Sequence, residues 1–236
     1  MNTPVVKEEV RAVRISASRA SLDGDLSLPE GARGVVLFAH GSGSSRHSSR
    51  NRYVAQELRR SALGTLLMDL LTADEEAIDA RTGHLRFDIG LLAERLGAAT
   101  EWLRGDPRMG RLAIGYFGAS TGGGAALVAA ADRPADVGAV VSRGGRPDLA
   151  GAALPRVQAP TLLIVGGQDE PVIGMNREAL ARLRCEKKLE IVPGATHLFE
   201  EPGTLEQVAR LAREWFDRHL GGGEPGSARA SDPQPS

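Results

Sequence analysis

Ser120, Asp169 and His197 occur in the order nucleophile, acid, base, each just past an apolar run of strand length. Side chains of these types, brought together, transfer acyl groups. A serine hydroxyl is a weak nucleophile until a neighbouring base takes its proton in the transition state. Histidine suits that task because imidazoles titrate near neutrality, and a positioned general base contributes roughly 10²–10⁴-fold. A carboxylate behind the ring fixes its tautomer and stabilises the imidazolium as it forms. The serine stands in Gly118-Ala119-Ser120-Thr121-Gly122, a G-x-S-x-G between the apolar run Leu112–Phe117 and the helix-forming run Gly123–Ala131. Between a buried strand and a helix, that pattern makes a sharp turn that lifts the hydroxyl clear of a sheet. The glycines relieve clashes in the turn, and the helix N-terminus beyond it favours negative charge. In a chain with 29 glycines the pattern alone is weak, and its partners give it weight.

Acyl transfer also needs backbone N–H groups facing the developing oxyanion, each contributing on the order of 3 kcal/mol. Thr121, directly after the serine, and Ser42, within His40-Gly41-Ser42-Gly43-Ser44-Ser45-Arg46, are expected to supply them. His40 is expected to order that loop through hydrogen bonds rather than to move protons. Glu170 and Asp148 are rivals to Asp169, which is preferred for its place after the strand Thr161–Val165. Arg143 and Arg146 follow the strand Val137–Val141 and are candidate substrate-binding residues, since a guanidinium there would favour a substrate bearing a carboxylate. Arg46, Arg50 and Asn51 beside the oxyanion loop raise the same possibility. His47, His84 and His219 read as surface residues, and no histidine pair has a metal-ligand spacing with a supporting acid. Cys185 lacks a glycine elbow and reads as filler.

The elements that must position these residues alternate. Val10–Ile15 and Leu26–Leu28, divided by Asp23-Gly24, predict an opening hairpin. Gly34–Ala39 is a continuous apolar run, as expected of a strand buried on both faces. The pattern then predicts a helix over 51–62, a strand over 65–68, a polar loop over 72–83 and a helix over 87–103. After the serine turn and its helix come strands over 137–141 and 161–165, a helix over 178–184 and a strand over 189–192. Thr204-Leu205-Glu206-Gln207 predicts a capping box opening a final helix with a stripe of Val208, Leu211, Ala212, Trp215 and Phe216. Such alternation argues for an α/β fold, a mostly parallel twisted sheet with helices on both faces. In such sheets ligands collect at the carboxyl ends of the strands, where all the candidates lie. Residues 1–220 read as one domain, and the Gly/Pro/Ser-rich stretch 221–236 as a disordered tail.

From Val10 to Leu220 the chain resembles the α/β-hydrolase superfamily, on His40-Gly41-Ser42-Gly43, Gly118-Ala119-Ser120-Thr121-Gly122, Asp169 and His197. Within it, the chain looks most like the compact enzymes grouped with dienelactone hydrolases. Only about twenty residues join Val141 to Thr161, where many relatives insert a helical lid, so the resemblance implies no large lid and an open site for small or extended esters. Dienelactone hydrolases proper place a cysteine where Ser120 stands and an acid soon after the His-Gly pair. Neither holds here, which points away from a dienelactone substrate while leaving ester hydrolysis intact.

Bulk properties agree. A formal net charge of −1 argues against a nucleic-acid grip or a polybasic membrane patch. No apolar run approaches the roughly 20 residues that cross a bilayer. The first ten residues hold no signal-peptide core, and one cysteine fits a reducing cytoplasm. The expectation is a cytoplasmic, cofactor-free and metal-free serine hydrolase of small carboxylic esters, monomeric or homodimeric. A dinucleotide site at Gly41-Ser42-Gly43 with Asp69 fails at its third glycine, where Arg46 stands. An acyltransferase on the same residues, or a silent binding module on the same fold, are the other readings.

Overall fold

Three strands whose six residues are all buried stand in the central sheet, because apolar runs covered by helices on both sides leave no face for water. The computed structural model describes residues 10–221. Along the chain run β1 (Val10–Ala17), β2 (Ala20–Ser27), β3 (Gly34–Ala39), α1 (Ser49–Arg59), β4 (Leu63–Met68), α2 (Ala73–Thr82) and α3 (Ile89–Gly105). They are followed by β5 (Ala113–Ala119), α4 (Thr121–Asp132), β6 (Val137–Arg143), β7 (Thr161–Gly166), α5 (Glu170–Arg182), β8 (Lys187–Val192) and α6 (Thr204–Leu220). All strands lie in one sheet in the order β1-β2-β4-β3-β5-β6-β7-β8. The β1–β2 and β2–β4 pairs are antiparallel and the rest are parallel, as the alternation predicts.

The sheet divides the core in two. Val36, Phe38, Phe117 and Val141 pack on one face beneath α1 and α6, with Phe216 and Trp215 among the covering side chains. Val35, Leu37, Tyr116 and Val140 face the other way, beneath α3 and α4. Tyr116 is fully buried on that side, and its hydroxyl is satisfied by Thr100 Oγ1 at 2.6 Å. The chain goes from β3 outward to β4 and then crosses back to β5 on the other side of β3. The loop after β3 and the turn after β5 therefore stand side by side, at the point where such sheets bind ligands.

The opening hairpin turns elsewhere than at Asp23-Gly24. Those residues lie inside β2, paired with Arg14 and Val13, and the reversal falls at Ser18-Arg19, where Ser18 takes φ 51°. Gly24 serves packing instead, since a Cβ there would press on Leu66 at 3.1 Å and Val13 at 3.2 Å. The polar stretch expected to be a loop over 72–83 forms α2. Thr72 and Glu75 close a capping box at its start, and Gly83 ends it at φ 68°. Polarity masked a helix that keeps a single buried residue, Asp79. The expected capping box at Thr204 does not form: Gly203 is the cap, and the Thr204 hydroxyl donates to Glu201 O at 2.7 Å. The helix after β7 starts at Glu170, well before the expected 178. Short 3-10 turns over Pro147–Arg156 fill the link to β7, with no helical lid. Of the tail expected to be disordered over 221–236, Gly221 follows directly on α6, and 222–236 lie outside the described residues. Among the described residues no helix is long and apolar enough to cross a membrane.

Candidate active site

Ser120 sits at φ 50° and ψ −123°, between the last residue of β5 and the first of α4. A non-glycine residue there is strained, and the surroundings hold it. Its N–H donates to Arg143 O at 3.3 Å, and its carbonyl accepts from Gly123 N at 3.0 Å and Arg146 N at 3.0 Å. Neighbouring glycines let backbone close around it. A Cβ on Gly41 would lie 2.9 Å from Ser120 Cβ, so the loop after β3 touches the serine directly. A Cβ on Gly122 would overlap the carbonyl oxygens of Ala39 and His40. Those are backbone atoms at the end of β3 and cannot swing aside. Gly122→Ala is therefore expected to destabilise the protein by about 1–3 kcal/mol or more. Urea unfolding checks this, and an unchanged midpoint would contradict the close packing.

The loop after β3 carries the second expected oxyanion donor. Ser42 and Thr121 meet across the turn, with their side-chain oxygens 3.2 Å apart. Neither Ser42 N–H nor Thr121 N–H has an acceptor among the described residues. Two buried features hold this loop. His40 Nε2 accepts from Leu70 N–H at 3.0 Å, so the proton of the neutral ring is on Nδ1, which donates to Gly41 O at 3.0 Å. Asp69 receives the backbone N–H of Arg46 at 2.7 Å and also its guanidinium, fastening the far end of the loop to the end of β4. Burial lowers the His40 pKa, against smaller opposing effects of the Gly41 hydrogen bond and Asp69.

That shift has a stability consequence. A basic group with a lowered folded-state pKa binds fewer protons folded than unfolded, so its contribution is lost as pH falls below the unfolded value of about 6.5. His219 has a pKa lowered by burial as well and adds to the same acid slope. Replacing His40 with Gln should flatten part of the wild-type loss between pH 7.5 and 5.5, with a ceiling of about 1.4 kcal/mol per pH unit for one proton. Parallel acid slopes in denaturant titrations of the two proteins would exclude the imidazole as a source.

The acid and the histidine arrive on adjacent strand ends. Gly167 N–H donates to Val192 O at 2.8 Å and Gln168 N–H to Ala195 O at 2.9 Å, which ties the turn after β7 to the loop after β8. Asp169 occupies the N-cap position of α5, yet its carboxylate makes no capping bond. It turns instead to His197, whose Nδ1 lies 2.6 Å from Asp169 Oδ2. Glu201 holds the histidine loop from the other side, accepting Thr196 N–H at 3.1 Å and Thr196 Oγ1 at 2.6 Å. These hydrogen bonds, that of the Thr196 hydroxyl foremost, hold the Glu201 carboxyl below the usual carboxylate range. Phe199, at φ 56° and almost fully buried, roots the loop in the core beneath α1 and α6. The residues after β6 join the two halves: a Cβ on Gly144 would lie 3.2 Å from His197 O and 3.6 Å from His197 Cε1. The same segment hydrogen-bonds Ser120 through Arg143 and Arg146.

The structure thus brings Asp169 to His197, Ser42 to Thr121, and Gly41 to Ser120, all at the carboxyl ends of β3, β5, β7 and β8. The two arginines part ways. Arg146 engages Asp148 through two nitrogens, at 2.9 and 2.7 Å, which also accounts for Asp148 as a partner of that guanidinium rather than of His197. Arg143 is 7% exposed, with its Nε unpartnered and Nη2 only 3.5 Å from Asn51 Oδ1. Desolvation, and then the like charge of Arg50, lower its pKa to about 10. A cleft of about 500 Å³ opens beside Ser42 and Thr121, lined by His40, Leu70 and Leu92 and by Glu76 and Arg86 of the 76–86 segment. Glu201 and Phe199 carried no signal in the sequence, because each acts through a partner that only the fold brings near, and Arg46, a candidate for a substrate carboxylate, is engaged by Asp69 instead.

The model of the dienelactone hydrolase family matches residues 28–219. The chain belongs to that family. A solved dienelactone hydrolase from Anabaena variabilis is 64% identical, with a TM-score of 0.89 over 91% of this chain and 99% of its own. Est1E from Butyrivibrio proteoclasticus has the same fold at 16% identity, with a TM-score of 0.74 over 89% of this chain and 99% of its own. Two Mycobacterium tuberculosis proteins, from strains CDC 1551 / Oshkosh and ATCC 25618 / H37Rv, are 58% identical over 222 residues, and their names make them candidate phosphoribosyl transferases. This family member covers 94% of itself in that match but 48% of each of them, so the chain spans about half the length of those relatives.

Proposed function

We propose that this member of the dienelactone hydrolase family is a serine hydrolase that cleaves small carboxylic esters through an acyl-enzyme. The observation that carries the reading is the 2.6 Å contact of Asp169 with His197 Nδ1, at the same sheet edge as the strained Ser120. In this mechanism Asp169 accepts Nδ1–H and leaves Nε2 bare as the base. Nε2 takes the Ser120 proton as Oγ attacks the ester carbonyl, and the developing oxyanion meets Ser42 N–H and Thr121 N–H. The imidazolium then gives its proton to the departing alcohol. Water attacks the acyl-enzyme by the same route, His197 again acting as base, and frees the acid. No step calls for a cofactor or a metal, and an open site without a lid suits short or extended esters.

The name of the mycobacterial relatives concerns proteins about twice as long, of which this chain matches about half, and the dienelactone hydrolase family model matches residues 28–219 of this chain. An acceptor other than water would make the same acyl-enzyme a transferase. The test is a serine-directed fluorophosphonate followed by intact-mass analysis and by release of acid from short-chain esters. One adduct per chain, with esters turned over, supports the reading. A folded protein that takes no adduct and turns over no ester would instead be a silent binding module.

A further inference from the structure

Arg143 presents a problem that ester hydrolysis alone does not solve. Its guanidinium is buried at the end of β6, one residue from the Gly144 that abuts His197, with its centre 5.8 Å from the Phe199 ring centroid. Burying a cation without a counter-charge is costly, and a methionine of similar length would fill the same space without that cost. Yet no carboxylate answers it among the described residues. Among the described residues its guanidinium makes one polar contact, the long approach to Asn51 Oδ1, and the charge that acts on it, Arg50, has its own sign. Asn51 and Arg50 lie in the first turn of α1, which the Ser48 hydroxyl caps but which has no acidic residue, so no negative side chain in that turn offsets the positive end of the helix dipole. Arg50 in turn reaches Glu200 at 3.1 Å, on a glutamate whose side chain is 64% exposed and free to leave. A buried guanidinium, a second arginine, a buried amide and a helix N-terminus converge beside the histidine loop with a single exposed carboxylate among them.

We propose that Arg143, with Arg50 and Asn51 in the first turn of α1, forms an oxyanion subsite beside His197 that takes a carboxylate or phosphate group. The group is borne by the ester substrate or arrives as a free anion. Arg143 offers a planar fork of donors, Arg50 exchanges Glu200 for the ligand, and the Asn51 amide orients the guanidinium. As a substrate subsite it rests on the esterase reading; as an anion site it does not.

The experiment pairs two measurements on the full chain. The first is kcat/KM for two esters of equal length, one ending in a methyl group and one in a carboxylate, on wild type, Arg143→Met and Arg50→Met. The second is the affinity for inorganic phosphate of the same three proteins by calorimetry. Loss of a hydrogen-bonded charge pair should lower the acidic-to-neutral ratio by about 10–100-fold in Arg143→Met. A ratio that falls, with phosphate competing against the acidic ester, assigns the subsite to the substrate. An unchanged ratio with phosphate affinity lost in both variants assigns it to a free anion. If no ester is turned over but phosphate binding still depends on Arg143, the anion site stands and the esterase reading fails. If neither the ratio nor phosphate affinity moves in either variant, the proposal is overturned. Arg50→Met keeps the test decisive should Arg143→Met not fold.

Discussion

Ser120→Ala should lower kcat for ester hydrolysis by about 10⁶ while leaving the protein folded. The size follows from what remains: the oxyanion donors and substrate binding survive, but no covalent intermediate forms. The fold should survive because the hydroxyl makes no hydrogen bond to a described residue, while the backbone bonds of Ser120 to Arg143, Gly123 and Arg146 are kept. Steady-state rates, fluorophosphonate mass shifts and a thermal melt together give the answer. Retention of a tenth of the activity in a protein that still melts cooperatively would remove Ser120 from the mechanism.

Asp169→Asn is expected to cost about 10⁴ in kcat with little change in KM, on the scale seen when a triad carboxylate is made neutral. The carboxylate accepts Nδ1–H and leaves Nε2 unprotonated. An amide in its place can present its NH₂ to Nδ1 and force the wrong tautomer. The stability cost should be small, since Asp169 makes no capping bond to α5 that the amide would lose. Glu170→Gln and Asp148→Asn serve as comparisons, because Asp148 is bound to Arg146. If one of them, and not Asp169→Asn, produced the large loss, the carboxylate would be assigned to the wrong residue.

The parallel sheet and the order Ser120, Asp169, His197 were legible because they depend on local signals. Apolar runs such as Gly34–Ala39 announce buried strands, and the strand-to-helix glycine turn has its own spacing. The meeting of Ser42 with Thr121 was legible in part for the same reason, since Thr121 is next to the serine and Ser42 follows directly on a buried strand. Signals failed where polarity or distance intervened. Residues 72–83 look like a loop because α2 lies on the surface, and its helix is announced only by Thr72 and Glu75. Asp23-Gly24 looks like a turn, yet Gly24 is small so that Leu66 and Val13 can approach. Glu201 and Phe199 support His197 through contacts that no spacing encodes. Arg143 and Arg146 were alike in sequence, and only the fold showed that Arg146 has a carboxylate partner and that Arg143 has none among the described residues.

The last helix also decides how the molecule can be held. Leu220 packs at the amino ends of the central strands, its side chain 3.2 Å from the Cβ position of Gly34 and 2.9 Å from that of Gly138. Ser120 and the Asp169–His197 pair lie at the carboxyl ends, and the seven residues of β5 separate the two ends by about 20 Å. A bead, electrode or fluorophore coupled through a cysteine put in place of the exposed Arg218, near the end of α6, is thus anchored across the sheet from Ser120, and an immobilised preparation would keep the carboxyl ends of the strands turned toward the solution.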